Sequence, residues 1–103
     1  MADKKVKILD SGNFQKIVSE GVSLVDFWAE WCGPCLQQGP IIDDLAEKIG
    51  DNVNVCKVDV DTNQEIASKY EVTSIPTILV FKDGEVVKRF VGVQSLKTLE
   101  EAL

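Results

Sequence analysis

Histidine is absent from the 103 residues, cysteine occurs only three times, and basic side chains are outnumbered by acidic ones, 11 against 17. Each shortage excludes something. A zinc site needs four ligands, and beyond a single Cys-x-x-Cys pair this chain offers no histidine and only Cys56. Three cysteines are also too few for a disulfide scaffold, and the odd number leaves one unpaired. The formal net charge of −6 argues against a nucleic-acid backbone or an anionic membrane as partner, because both would repel it. No apolar run approaches the length of a membrane span, and Met1 to Asp10 is polar and charged where a secretory signal would carry an apolar core. Internal repeats, linkers and low-complexity tracts are missing too. The expectation is a freely diffusing cytoplasmic protein, monomeric, with neither nucleic acid nor membrane as partner.

What is present suffices for one core. The chain is 45% hydrophobic, which predicts a single domain over residues 1–103. Val6 to Leu9 reads as a short strand. Ser11 is placed to cap a helix whose apolar positions Phe14, Ile17 and Val18 have helical spacing before Gly21 stops it. Val22 to Ala29 is apolar without alternation, as a strand covered on both faces would be, and Asp26 interrupts it. Ile42, Leu45, Ala46 and Ile49 then repeat as one face of a helix ending at Gly50, with Pro40 predicting a kink inside it. Val53 to Val60 is another strand, and Thr62 to Glu65 has the spacing of a capping box for a helix through Ile66, Ala67 and Tyr70. Ile78 to Phe81 and Val86 to Val91 form a hairpin about Asp83-Gly84, and Ser95 caps a last helix carrying Leu96, Leu99 and Leu103. The order β-α-β-α-β-α-β-β-α implies an α/β fold with a mixed sheet and helices on both faces.

The chemistry is concentrated in Trp31-Cys32-Gly33-Pro34-Cys35, which follows a strand and opens a helix. That spacing puts the two sulfurs on the first helical turn within disulfide reach. Cys32 lies where unpaired N–H groups and the positive end of the helix dipole favour a thiolate, the nucleophilic form. Pro34 suits a helix start, where its missing donor has no intrahelical partner. A purely structural disulfide is a poor reading, since so small a loop hardly constrains the unfolded chain. Asp26 has two readings. Buried beside Val25 and Phe27 it would be desolvated, with a raised pKa suited to a base for Cys35; at the strand's solvent edge it would be an ordinary anion. Cys56, in an interior strand, reads as a small hydrophobe with its thiolate suppressed.

From Val6 onward the chain resembles the thioredoxin family. The resemblance is carried by Asp26-Phe27-Trp28-Ala29, Trp31-Cys32-Gly33-Pro34-Cys35, Pro40, Lys57, Asp59, Ile75-Pro76-Thr77, Asp83-Gly84 and Gly92, in that order. It implies a thioredoxin fold, a central mixed sheet of about five strands flanked by four helices. It also implies a thiol-disulfide oxidoreductase that reduces protein disulfides, in which Cys32 attacks and Cys35 resolves. The Gly33-Pro34 pair is similar to that of reducing members rather than oxidising or isomerising ones. By the same likeness Asp26 serves Cys35 with Lys57 as its charge partner, and the Ile75-Pro76 bond is cis and lies against the cysteines. Trp28 packs beneath the site. Trp31, Gly33, Pro34, Ile75, Pro76, Gly92 and Val93 would form the apolar surface where substrates dock. No cofactor or metal would be bound, and NADPH would act indirectly through a thioredoxin reductase. Many members carry a basic residue after the second cysteine, where this chain has Leu36, then Gln37 and Gln38. Losing that cation could leave Cys32 less acidic or alter partner choice. The competing reading is a redox-independent binding or assembly subunit using the same patch.

Overall fold

Runs rich in valine, isoleucine, leucine and phenylalanine form five strands of one sheet: β1 (Lys7–Ile8), β2 (Val22–Trp28), β3 (Asn54–Asp59), β4 (Thr77–Lys82) and β5 (Glu85–Val91). The structure is a computed structural model and describes residues 5–103. The reading of the polar N-terminal stretch at positions 1–4 lies outside the described residues. Between and after the strands lie α1 (Phe14–Val18), α2 (Gly33–Ile49), α3 (Gln64–Lys69) and α4 (Leu96–Glu101). Spatial strand order is β1-β3-β2-β4-β5, with the first three parallel and β4 and β5 antiparallel. β2 and β4 are central and their interiors are buried, which explains why neither alternates polar with apolar residues.

The two faces carry separate cores. Phe14 and Val18 of α1 and Ile66 and Ala67 of α3 cover Val25, Phe27, Cys56, Val58, Leu79 and Phe81. Ile42, Leu45 and Ala46 of α2 and Leu99 of α4 cover Leu24, Val55, Ile78 and Val80. Successive strand side chains point to opposite faces, so Asp26, two positions from Leu24, and Lys57, two from Val55, both belong under α2. They are direct neighbours in the parallel β2–β3 register.

Local differences from the sequence reading concern caps. Asn13, not Ser11, precedes α1, because the Asp10 carboxylate accepts the N–H groups of Gly12 and Asn13 and folds Ser11 into a turn. The capping box at Thr62 does not form. Asn63 is the residue before α3, and its amide turns back to donate to Asp59 O and Thr62 Oγ. Ser95 does cap α4, accepting the N–H of Thr98 at 3.1 Å. Asp83 and Gly84 both have positive φ, 50° and 90°, as a tight hairpin turn requires. Helix α2 runs through Pro40 as one element of 17 residues. Pro40 is exposed, on the side where a carbonyl freed by the missing N–H can reach water.

Candidate active site

Where β2 ends, the chain turns back on itself, with the Cys32 N–H donating to Ala29 O at 3.2 Å. Cys32 is thereby the N-cap of α2, in extended conformation, and its Sγ accepts the N–H of Cys35 at 3.2 Å. In the reduced protein that N–H and the helix dipole favour negative charge on Cys32. The two cysteines are joined as a disulfide, with Cα atoms 5.2 Å apart. Gly33 and Pro34 occupy the first helical positions and are exposed. Trp28, Val60 and Ile75 pack against Ala29, Cys32 and Cys35. The two cysteines differ little in exposure, 5% for Cys32 and 2% for Cys35. Their asymmetry lies in what surrounds them. Cys32 adjoins the exposed Trp31 and Gly33, whereas Cys35 heads the inner stripe of α2 that continues through Gln38, Ile42 and Leu45.

Asp26 is fully buried, and neither carboxylate oxygen has a hydrogen-bond partner. The solvent-edge reading is therefore excluded. Burial pushes its pKa from 3.8 up to about 7, and the Lys57 charge works against that rise. Lys57 Nζ sits 4.7 Å from the centroid of the Trp28 ring. A Cβ on Gly39, one turn beyond Cys35, would stand 3.7 Å from that nitrogen, an ordinary contact, which places the lysine head under this turn of the helix. Trp28, Cys35, Gly39, Pro40 and Lys57 line a cleft of about 450 Å³ that also includes Leu36. Leu36 is exposed on its rim, an apolar side chain at the mouth of the cleft.

Around Cys32 the other expected residues converge. The Ile75-Pro76 bond is cis, and the Ile75 carbonyl oxygen lies 3.7 Å from Cys32 Sγ. The Gly92 N–H donates to Pro76 O at 2.8 Å, which brings Gly92, and with it Val93, beside the cis-proline turn that faces Cys32. Gly92 has φ of 93°, so its own backbone calls for glycine, and the space where a Cβ would stand is open. Trp31 is 71% exposed, and its indole N–H donates to Asp61 Oδ2 at 2.9 Å. One expectation needs correction: Pro76 is buried, so it shapes the rim through its backbone, while Trp31, Gly33, Pro34 and Val93 face outward. Packing removes it from the surface.

Two participants were not legible in the sequence. Asp61 holds Trp31. Gln38, on the inner face of α2, is buried and bonded to the backbone of Gln94; a polar residue on an otherwise apolar helical stripe was the available signal. Cys56 is a free buried thiol that burial pushes up to about 12, as an inert packing residue should be. Among the described residues no cluster of metal-ligating side chains occurs, and no helix is long and apolar enough to cross a membrane.

The sequence pattern of the thioredoxin family matches residues 5–103. The thioredoxin of Bacillus subtilis strain 168 is 51% identical over 96 residues, covering 93% of this chain and 91% of that protein. The thioredoxin of Staphylococcus saprophyticus is 49% identical over 98 residues, covering 95% and 93%. Among solved structures, a mutant thioredoxin from Halobacterium salinarum NRC-1 superposes with a TM-score of 0.88 at 36% identity, covering 99% of this chain and 90% of that one.

Proposed function

Because the chain belongs to the thioredoxin family and is a dithiol–disulfide oxidoreductase working through Cys32 and Cys35, we propose that it serves as a monomeric cytoplasmic reductant of protein disulfides. Thioredoxins act with thioredoxin reductase and disulfide-bearing substrates. In this reading NADPH supplies the electrons through the reductase, and no cofactor is bound to this chain. The observation that carries it is the Cys32 sulfur at the N-cap of α2, accepting the N–H of Cys35 and facing the Ile75 carbonyl.

The Cys32 thiolate attacks one sulfur of the substrate disulfide. A mixed disulfide forms, the substrate S–S bond breaks, and the departing thiolate takes a proton. Cys35 then loses its proton to Asp26, attacks Cys32 Sγ and releases the second substrate thiolate, leaving the Cys32–Cys35 disulfide. Lys57 moderates the carboxyl's affinity for that proton and so poises it near neutrality. Substrate lies in extended form along Ile75, over a rim made by Trp31, Gly33, Pro34, Ile75, Gly92 and Val93, with the buried Pro76 shaping it from below. Apolar area and backbone pairing then supply affinity without demanding one sequence.

Insulin reduction driven by NADPH and a bacterial thioredoxin reductase tests the direction and the partner together. The expected result is NADPH oxidation that saturates with this protein. Activity with dithiothreitol but none with the reductase would overturn the partner assignment. The docking surface has its own test. Val93→Asp places an anion on the apolar rim of a protein already at −6 and should raise KM for insulin about 10-fold. An unchanged KM would remove Val93 from the surface.

A further inference from the structure

We propose that Gln38 is a positioning residue, whose side-chain amide ties the Gly92–Val93 arm of the docking rim to the helix that carries the cysteines. The inference rests on the docking surface proposed above. Gln38 is 0% exposed and lies three positions beyond Cys35, so both side chains project from one face of α2. That face is otherwise apolar, holding Ile42, Leu45 and Ala46 against the sheet. A primary amide there is unfavourable unless its donor and acceptor are both satisfied.

The Gln38 side-chain carbonyl and one N–H of its NH2 group are both taken up by one residue, 56 positions away in the chain. Gln38 Nε2 donates to Gln94 O at 3.1 Å, and Gln38 Oε1 accepts the Gln94 N–H at 2.7 Å. The side chain thus mimics a strand, pairing with both backbone groups of a single residue. Residues 92–95 belong to no helix or strand, so no regular ladder holds them. Gln94 extends the link: its Nε2 donates to Gly92 O at 3.2 Å, and the Gly92 N–H donates to Pro76 O at 2.8 Å. The arm is suspended between Pro76 on one side and α2 on the other. A substrate meeting this arm finds it already ordered. Without the clamp, the entropy of ordering it would fall on binding and weaken affinity, while the sulfur chemistry at Cys32 would be left intact.

The test is Gln38→Met, which keeps the length and volume of the side chain and removes both hydrogen bonds. KM for insulin should rise about 10-fold with kcat within about twofold, since lost pre-organisation acts on binding. Reduction of cystine, too small to reach the arm, should stay within about twofold, and hydrogen exchange at the Gln94 amide should accelerate at least about 10-fold. Should that variant fold poorly, Gln38→Leu likewise removes both hydrogen bonds without burying a charge, and should show the same split. Accelerated exchange with an unchanged KM would overturn the proposal, as would equal losses toward insulin and cystine, which would mark damage to the cysteine site. Val93→Asp separates the two layers. If it raises KM and Gln38→Met does not, the clamp fails while the docking surface stands; if neither raises KM, both fail.

Discussion

Cys32→Ser should lower insulin reduction by at least about 10³-fold, because a serine hydroxyl is almost wholly protonated at neutral pH and cannot form a mixed disulfide. The N-cap geometry that favours a thiolate at this position has too little leverage to ionise a hydroxyl. Cys35→Ser should fail differently. Cys32 can still attack, but nothing at hand displaces the bound sulfur, so substrate remains covalently attached and the adduct survives on a non-reducing gel. The double variant separates reductase from assembly subunit: redox chemistry disappears, whereas a pure binding role on the same rim would persist. Normal turnover by Cys35→Ser would contradict the proposed order of attack. The Cys35 N–H that bonds Cys32 Sγ is a backbone group and survives the Cys35→Ser exchange, so the nucleophile keeps its principal stabilising contact. The two single variants should therefore differ in where the reaction stops.

Much of this was legible in the chain because each signal was local. The strand Val22–Trp28 is an unbroken apolar run, Pro34 marks a helix start, and Asp83-Gly84 supplies the positive φ values of a tight turn. The cysteine pair at the head of a helix followed from those neighbours. Caps were less legible, since several polar side chains compete for the same N–H groups: Asp10 outcompeted Ser11, and Asn63 turned back toward Asp59. What depends on register was not legible from residues alone. Asp26 and Lys57 are neighbours only because β2 and β3 pair in one register, and family resemblance, not periodicity, suggested the pair. Gln38 was hidden for a related reason. A glutamine after an active-site turn reads as solvent-facing, and its partner Gln94 becomes visible only when α2 is laid against the segment leaving β5.

Asp26→Asn should make the folded protein more stable near neutral and alkaline pH, and slower at the resolving step. The wild-type carboxyl has a pKa of about 7 when folded against 3.8 in the unfolded chain. Below the lower value both states bind the proton, and the group's contribution to stability is fully present. As pH rises toward the upper value, the unfolded chain releases its proton while the buried group holds on, and stability falls by about 1.4 kcal/mol per pH unit. Above about pH 8 both states are ionised and the loss levels off at roughly 4 kcal/mol, a carboxylate without hydrogen-bond partners being held inside the fold. Asparagine cannot ionise, so the variant should match wild type near pH 4 and exceed it progressively through neutrality, as urea denaturation at a series of pH values would show. A constant difference across that range would mean that the carboxyl does not titrate as burial dictates. Lys57→Met should push the Asp26 pKa higher still, since the lysine charge is what opposes the rise. In the proposed mechanism that same unfavourable carboxylate takes the Cys35 proton. Resolution of the mixed disulfide in wild type should therefore quicken as pH passes through about 7 and lose that inflection in Asp26→Asn, with a rate lower by about 10²-fold above it.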